Sequence, residues 1–149
     1  MSDEQEILGI LIDRDIRAFV AGDWALTAAD FDEAGFTGYS GAEGSVRLEY
    51  ATLEAYRDSW LAQSVALAAG RDAARVTAQL HAVQRIDRIE IDGARALAVK
   101  VFDGELEGPD GRPQVLSWTT YYFLRFDHEK QRWLITGFLG YLPSEWKAA

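Results

Sequence analysis

The segment 115–126 is the strongest predicted strand of the chain, because it is rich in β-branched and aromatic residues. Both of its faces are largely apolar. One parity holds Trp118, Thr120, Tyr122, Leu124 and Phe126, and the other holds Thr119, Tyr121, Phe123 and Arg125. A sheet with one face in water alternates apolar with polar residues instead. The pattern therefore predicts an antiparallel sheet that is covered on both faces.

The second of these faces needs a covering of its own. We expect a homodimer interface built on Thr119, Tyr121 and Phe123, with Arg125 at its rim. The alternative is that loops of the same chain cover this face.

Helices precede the strands. Hydrophobic periodicity and capping residues predict helices over 3–21, 23–31 and 52–69. The glycine-rich segment 35–44 is typical of a short strand or a loop. The segment 71–85 fits two patterns, since Val76, Leu80 and Val83 follow helical spacing while Val76, Ala78 and Leu80 alternate. We predict a strand there, from about Val76.

A hairpin follows, over 86–91 and 94–106, because Asp92-Gly93 suits a tight turn. The last strand is predicted over 133–141. Three helices followed by a meander of about four antiparallel strands indicate an α+β fold. The length of 149 residues suits one domain, expected to span 1–149.

Composition excludes several classes of function. The net charge of −9 disfavours nucleic-acid binding, and no apolar run reaches the length of about 20 residues that spans a membrane. The chain has no cysteine and only two histidines, so we expect no metal site and no cofactor. The acidic N-terminus lacks the features of a signal peptide, and we expect a cytoplasmic protein.

Asp15 is the anomalous residue of the first helix. At roughly 100° per residue it falls near the centre of the apolar face. An ionised carboxylate that is buried without a partner would lower the stability of the fold by several kcal/mol, about as much as removing one partner of a buried ion pair. Asp15 therefore has a partner, holds a proton, or faces a cavity, where it could act as a general acid or base. The candidate partners are Arg14, Arg17, a strand arginine, or a buried tyrosine or tryptophan.

Other side chains could complete such a cavity. His81 could transfer protons near neutral pH, or it could be an ordinary surface or core histidine. Aromatic walls with a few hydroxyl groups suit a hydrophobic ligand with one or two polar groups, although each ring could equally be core. The candidate lining residues are Phe19, Trp24, Tyr39, Tyr56, Trp60, Trp118, Thr120, Tyr122 and Phe138.

Four stretches resemble the nuclear-transport-factor-2-like (NTF2-like) superfamily, which includes ketosteroid isomerase, scytalone dehydratase, limonene epoxide hydrolase and the SnoaL-like cyclases. They are 21–24, 31–36, 89–98 and 122–127 with 132–135. The resemblance implies a cone-shaped α+β fold in which helices close over a curved sheet around a deep pocket. It also implies dimerisation through the sheet.

The resemblance assigns positions to the candidate site residues. Asp15 falls where ketosteroid isomerase has the tyrosine that stabilises an oxyanion, Gly38 near its general base, and Tyr122 near its protonated aspartate. His81 is similar in place to a histidine of scytalone dehydratase, whose tyrosine–aspartate pair is replaced here by Phe19-Val20.

Two functions remain open on these grounds. One is cofactor-free acid–base chemistry on a small hydrophobic carbonyl or polycyclic compound, with Asp15 as the main actor and His81 or Tyr122 assisting. The other is a dimeric binding or scaffold module without catalysis.

Overall fold

A computed structural model describes residues 1–143. Its first 21 residues contain one continuous helical stretch of three parts: α1 (Asp3–Leu8), a π-helical segment (Gly9–Arg14) and α2 (Asp15–Ala21). Ser2 and Gln5 form a reciprocal capping box at its start. Gly22 ends it with a φ of 67°, a conformation that glycine adopts without strain. The predicted helix is therefore confirmed, with a π segment that helical periodicity did not indicate.

Three further helices follow: α3 (Trp24–Ala28), α4 (Leu53–Ala68) and α5 (Ala73–Val83). The strand predicted from Val76 is wrong, because this segment is the helix α5. Asp72 caps it by accepting a hydrogen bond from the Arg75 backbone N–H at 2.9 Å. Its buried residues are Val76, Leu80 and Val83, which are the three residues at helical spacing.

Six strands form one sheet in the order β2-β1-β6-β5-β4-β3. The strands are β1 (Thr37–Ser40), β2 (Arg47–Tyr50), β3 (Gln84–Asp92), β4 (Arg95–Glu107), β5 (Pro113–Asp127) and β6 (Arg132–Pro143). All neighbours are antiparallel except β1 and β6. The four long strands match the predicted meander, and the α+β class is confirmed. The 35–44 segment contributes β1.

The helices pack on one face of this sheet in two apolar clusters. The larger cluster joins α1 and the π segment to β4–β6 through residues such as Ile7, Leu11 and Trp133. The smaller joins α2 and α5 to β4 and β5 through Ile16, Leu80 and others. Between these packed regions the helices stand away from the sheet, and a cavity remains.

The opposite face of the sheet is only partly covered. Thr119 is fully buried in the single chain, while Phe123 is 43% exposed. Phe123 lies opposite Leu97 of β4, which is half-buried. Arg125, predicted at the rim, donates to Asp32 at 2.8 Å and to Asp127 at 3.3 Å. Of the three predicted contact residues, Thr119 has no surface left to offer a partner.

Candidate ligand-binding cavity

A cavity of about 420 Å³ lies between the helices α2, α4 and α5 and the strands β4–β6. Its volume is in the range of about 300–1,000 Å³ that small-molecule sites occupy. Eight predicted residues line it: Asp15, Phe19, Tyr56, Trp60, Trp118, Thr120, Tyr122 and Phe138. The aromatic side chains stand around the space and do not fill it.

Three predicted site residues lie elsewhere. Trp24 packs behind the wall, with its ring 5.2 Å from that of Trp60. Tyr39 is 38% exposed on β1. His81 is exposed on α5, and it is absent from the cavity lining in the described part of the chain. The structure therefore does not bring His81 and Asp15 together. The change from strand to helix is the reason. A strand would place His81 on the same face as Val83, whereas in the helix α5 residues two positions apart point to nearly opposite sides, and Val83 is the buried one.

Asp15 has a partner that sequence reasoning missed. The Lys100 ammonium donates to Asp15 Oδ2 at 3.1 Å and to the Leu11 carbonyl at 2.6 Å. The Lys100 side chain is 1% exposed and that of Asp15 is 30% exposed. Lys100 therefore lies behind Asp15, and Asp15 lies at the cavity surface. Arg14, a predicted partner, binds Asp30 instead.

The local sequence accounts for this pair. Lys100 is a lone cation in the otherwise apolar centre of β4, and it points toward the helices as Ala98 and Phe102 do. Its ammonium lies 5.1 Å from the Phe102 ring centre and 5.8 Å from that of Tyr122. Such rings favour a desolvated cation. The signal in the sequence was a lysine within an apolar strand.

The two carboxylate oxygens of Asp15 have different surroundings. Oδ2 is held by Lys100, whereas Oδ1 has no hydrogen-bond partner among residues 1–143. A π segment, a form of helix common at functional sites, immediately precedes Asp15 and contains Leu11. The pair thus orients one carboxylate oxygen and leaves the other to accept a proton or a hydrogen bond from a bound molecule.

Three tyrosines supply neutral hydroxyl groups to the same space. Burial raises the pKa of Tyr56 and of Tyr122 well above the ordinary value, and the negative charge of Asp15 contributes to both shifts. Burial likewise raises the pKa of Tyr141 to about 12. Tyr141 is also a non-glycine residue with a φ of 58°, a strained backbone conformation that occurs at binding sites. All three remain hydrogen-bond donors at neutral pH.

These pKa shifts predict a lower free energy of unfolding at alkaline pH. The folded-state values lie above the unfolded value of about 10, so the native state keeps protons that the unfolded chain loses. The stabilisation is complete below about pH 10, and it falls as the pH rises through the folded value of Tyr141, about 12. Denaturant titrations across this range should show the free energy of unfolding decrease.

The Tyr122→Phe variant should make that decrease shallower, and Tyr39→Phe, on the exposed β1 residue, is the matched control. Tyrosinate absorbance gives an independent readout. Ionisation of the native cavity tyrosines near pH 10, the ordinary value, would contradict the prediction.

Polar residues mark the mouth of the cavity. Gln63 and Gln114 are exposed and also line the space. Arg71 lines it too, and its guanidinium donates to the Gln114 side-chain oxygen at 2.6 Å. Gln84 contributes a buried amide oxygen that has no hydrogen-bond partner in the described residues. None of these four was predicted, because their charge and polarity are ordinary for surface positions.

The described part of the chain meets the requirements of neither a metal site nor a membrane helix. Residues 1–143 contain no group of three or more His, Cys, Asp or Glu side chains placed to hold a metal ion. Over the same residues, no helix is long and apolar enough to cross a membrane.

Comparisons with known proteins address the fold. No protein-family model and no curated protein sequence matches the chain. An NTF2-like protein of unknown function from Shewanella oneidensis MR-1 is similar in structure, with a TM-score of 0.55 at 14% identity over 93% of this chain and 98% of that one. An NTF2-like protein with a cystatin-like fold from Novosphingobium aromaticivorans has a TM-score of 0.57 at 12% identity, over 98% and 84% of the two chains.

A third similar structure is described as a putative calcium/calmodulin dependent protein kinase II association domain from Xanthomonas campestris. Its TM-score is 0.57 at 13% identity, with coverage of 94% of this chain and 87% of that one. Identities this low show a shared architecture and do not transfer an activity. The helices over a curved sheet and these structural neighbours establish that the chain has the NTF2-like fold.

Proposed function

We propose that this protein binds a small organic molecule with a mainly apolar body in the cavity and acts on it by cofactor-free acid–base chemistry. The supporting observation is the geometry of Asp15, a residue that lines the cavity: Lys100 holds one of its carboxylate oxygens, and the other has no partner among the described residues. The aromatic walls suit an apolar body, and the tyrosine hydroxyls suit a carbonyl oxygen.

The proposed reaction is abstraction of a proton from a carbon next to a carbonyl group. Asp15 Oδ1 accepts the proton, and the electron pair of the broken C–H bond moves toward the carbonyl oxygen. The Tyr122 phenol donates a hydrogen bond to that oxygen as negative charge develops on it. Return of the proton to another carbon gives isomerisation, and attack of the enolate on a second carbonyl gives cyclisation. His81 has no part in this proposal, because it lies outside the cavity lining.

A screen of small aromatic and polycyclic ketones by thermal shift tests the binding step. A ligand at about 100 times its dissociation constant should add roughly 2.7 kcal/mol to the free energy of unfolding. Solvent deuterium entering the bound ketone, followed by NMR, tests proton abstraction whatever the final product. If no compound of the panel raised the melting temperature, the proposal would be contradicted.

Asp15→Asn should lower the deuterium exchange rate by at least about 100-fold, because the amide cannot accept the proton. It should leave ligand binding largely intact, since the shape of the cavity is kept. Asp13→Asn is the matched control, on an exposed carboxylate two positions earlier that does not line the cavity. Unchanged exchange in Asp15→Asn would show that Asp15 is structural.

The second candidate is a dimeric module that binds a ligand or a partner without catalysis. The observation that favours it is the exposure of Phe123 on the outer face of the sheet. The Xanthomonas campestris structure, described as an association domain, is consistent with an assembly role. We propose that a second copy of the chain covers this face around Phe123 and the half-buried Tyr121.

The dimer is tested by Phe123→Glu. The wild-type protein should sediment at twice the chain mass, and the variant should sediment as a monomer, because the new carboxylate would be buried without a partner. Leu26→Glu, on the exposed side of α3, is the matched control and should remain dimeric. A wild-type monomer at high micromolar concentration would contradict the interface. The cytoplasmic location and the single domain over 1–149 stay predictions.

A further inference from the structure

Arg71 is a cation at the cavity mouth whose contacts are all neutral. Its guanidinium donates to the Leu67 carbonyl at 2.9 Å, the Glu107 carbonyl at 3.3 Å and the Gln114 side-chain oxygen at 2.6 Å. No carboxylate of residues 1–143 lies within ion-pair distance of it. The guanidinium has five N–H groups, so two are left after these three bonds.

This situation is unusual within the described chain. Apart from the exposed Arg17, every other arginine there forms an ion pair with an aspartate or a glutamate. Arg75, only four positions later, pairs with Glu107 at 2.6 Å. In a chain with a net charge of −9, carboxylates are abundant. A partly buried arginine that binds only neutral acceptors is therefore placed for something other than a structural ion pair.

The charge balance of the cavity points the same way. Among the described residues that line the cavity, Asp15 and Arg71 are the ones with an acidic or a basic side chain. Lys100 pairs with Asp15 at 3.1 Å, so this carboxylate has a counterion. Arg71 is then the charged lining residue that has no counterion among residues 1–143, and it lies at a concave surface where a field is focused. Its guanidinium favours an anionic group at the mouth of the cavity.

We propose that the ligand of this cavity is an amphipathic carboxylate, with its carboxylate on Arg71 at the mouth and its apolar body between the aromatic walls. This inference rests on the proposed function and specifies its substrate class. A guanidinium binds a carboxylate through two parallel, charge-assisted hydrogen bonds, and one N–H on each terminal nitrogen of Arg71 is left to make them. The far end of the ligand then lies toward Asp15 and Tyr122, where the reacting carbonyl belongs.

Two probes of similar shape, one anionic and one neutral, test the proposal: naphthalene-2-carboxylate and naphthalene-2-carboxamide. The wild-type protein should bind the carboxylate about tenfold more tightly, as measured by isothermal titration calorimetry. Arg71→Gln should abolish this preference, mainly by weakening the binding of the carboxylate. Arg71→Lys should keep part of it, because the charge remains and the planar fork is lost.

Arg75→Gln is the matched control, since it removes the same charge nearby from a residue that does not line the cavity. It should keep the preference for the carboxylate. Circular dichroism and melting curves confirm that each variant is folded, and the two-probe comparison on the wild type needs no variant.

The outcomes separate the two proposals. Equal affinity for both probes in the wild type overturns the carboxylate assignment and leaves the proposed function standing. A loss of preference in Arg75→Gln as large as that in Arg71→Gln overturns the role of Arg71. Failure of both probes to bind contradicts the proposed function itself, and the carboxylate assignment falls with it.

Discussion

Replacing Asp15 with leucine is expected to lower the free energy of unfolding by about 3 kcal/mol. The loss comes mainly from Lys100, whose ammonium is 1% exposed and would keep the Leu11 carbonyl as its one hydrogen-bond acceptor. A buried charge without its counterion costs far more than the ion pair contributed. Urea denaturation of the wild type and the variant measures the difference.

The double variant Asp15→Leu with Lys100→Met should recover most of that loss, because two apolar side chains of similar volume need no counterion. Asp13→Leu, at an exposed position of the π segment, is the control and should change stability by no more than about 0.5 kcal/mol. Strictly additive effects of the two single variants would show that Asp15 and Lys100 are not coupled. The recovered double variant should still lack proton exchange activity, which separates the structural from the chemical role of Asp15.

Asp30→Ala is the second substitution with a large expected effect, again a loss of about 3 kcal/mol. The Asp30 side chain is 1% exposed and accepts two hydrogen bonds from Arg14, both at 2.7 Å. It also accepts one from Arg132 of β6 and one from Thr27 at 3.5 Å. This carboxylate therefore ties the π segment, the end of α3 and the sheet together, and its removal leaves two guanidinium groups without a counterion.

Asp58→Ala is the matched control, because that carboxylate is 66% exposed and pairs with Arg57 on the surface of α4. Exposed pairs contribute about 0–1 kcal/mol, so its effect should be small. Thermal and urea unfolding measure both variants. Equal effects of Asp30→Ala and Asp58→Ala would show that the buried network does not hold the helices on the sheet.

Patterns within the sequence predicted much of the fold. The periodicity of 3–21 and 52–69 and the alternation of 115–126 are local properties, and the helices and strands formed there accordingly. The segment 71–85 was different, because its apolar residues satisfy both periods. Asp72, a good N-cap, was the available signal for the helix α5. Packing of Val76, Leu80 and Val83 against the sheet selects the helix, and that packing is a tertiary property.

Local patterns likewise predicted some residues of the candidate site and missed others. Helical periodicity alone identified Asp15 as a carboxylate on an apolar face, and aromatic strand residues identified much of the wall. The partner of Asp15 was outside the reach of these patterns, since Lys100 lies 85 positions away. His81 was misplaced by the error in α5, and Arg71 resembles any surface arginine until its neutral contacts are seen.

The sequence by itself determined that this chain is an α+β protein with a polar group set into an apolar helix face, because periodicity and residue type act over a few positions. Only the tertiary structure decided which charges meet. The packing of α2 on β4 buries Lys100 behind Asp15. The C-terminal end of α4 holds Arg71 at the cavity mouth, where no carboxylate of residues 1–143 pairs with it. Both results depend on distances between elements, which no local pattern contains.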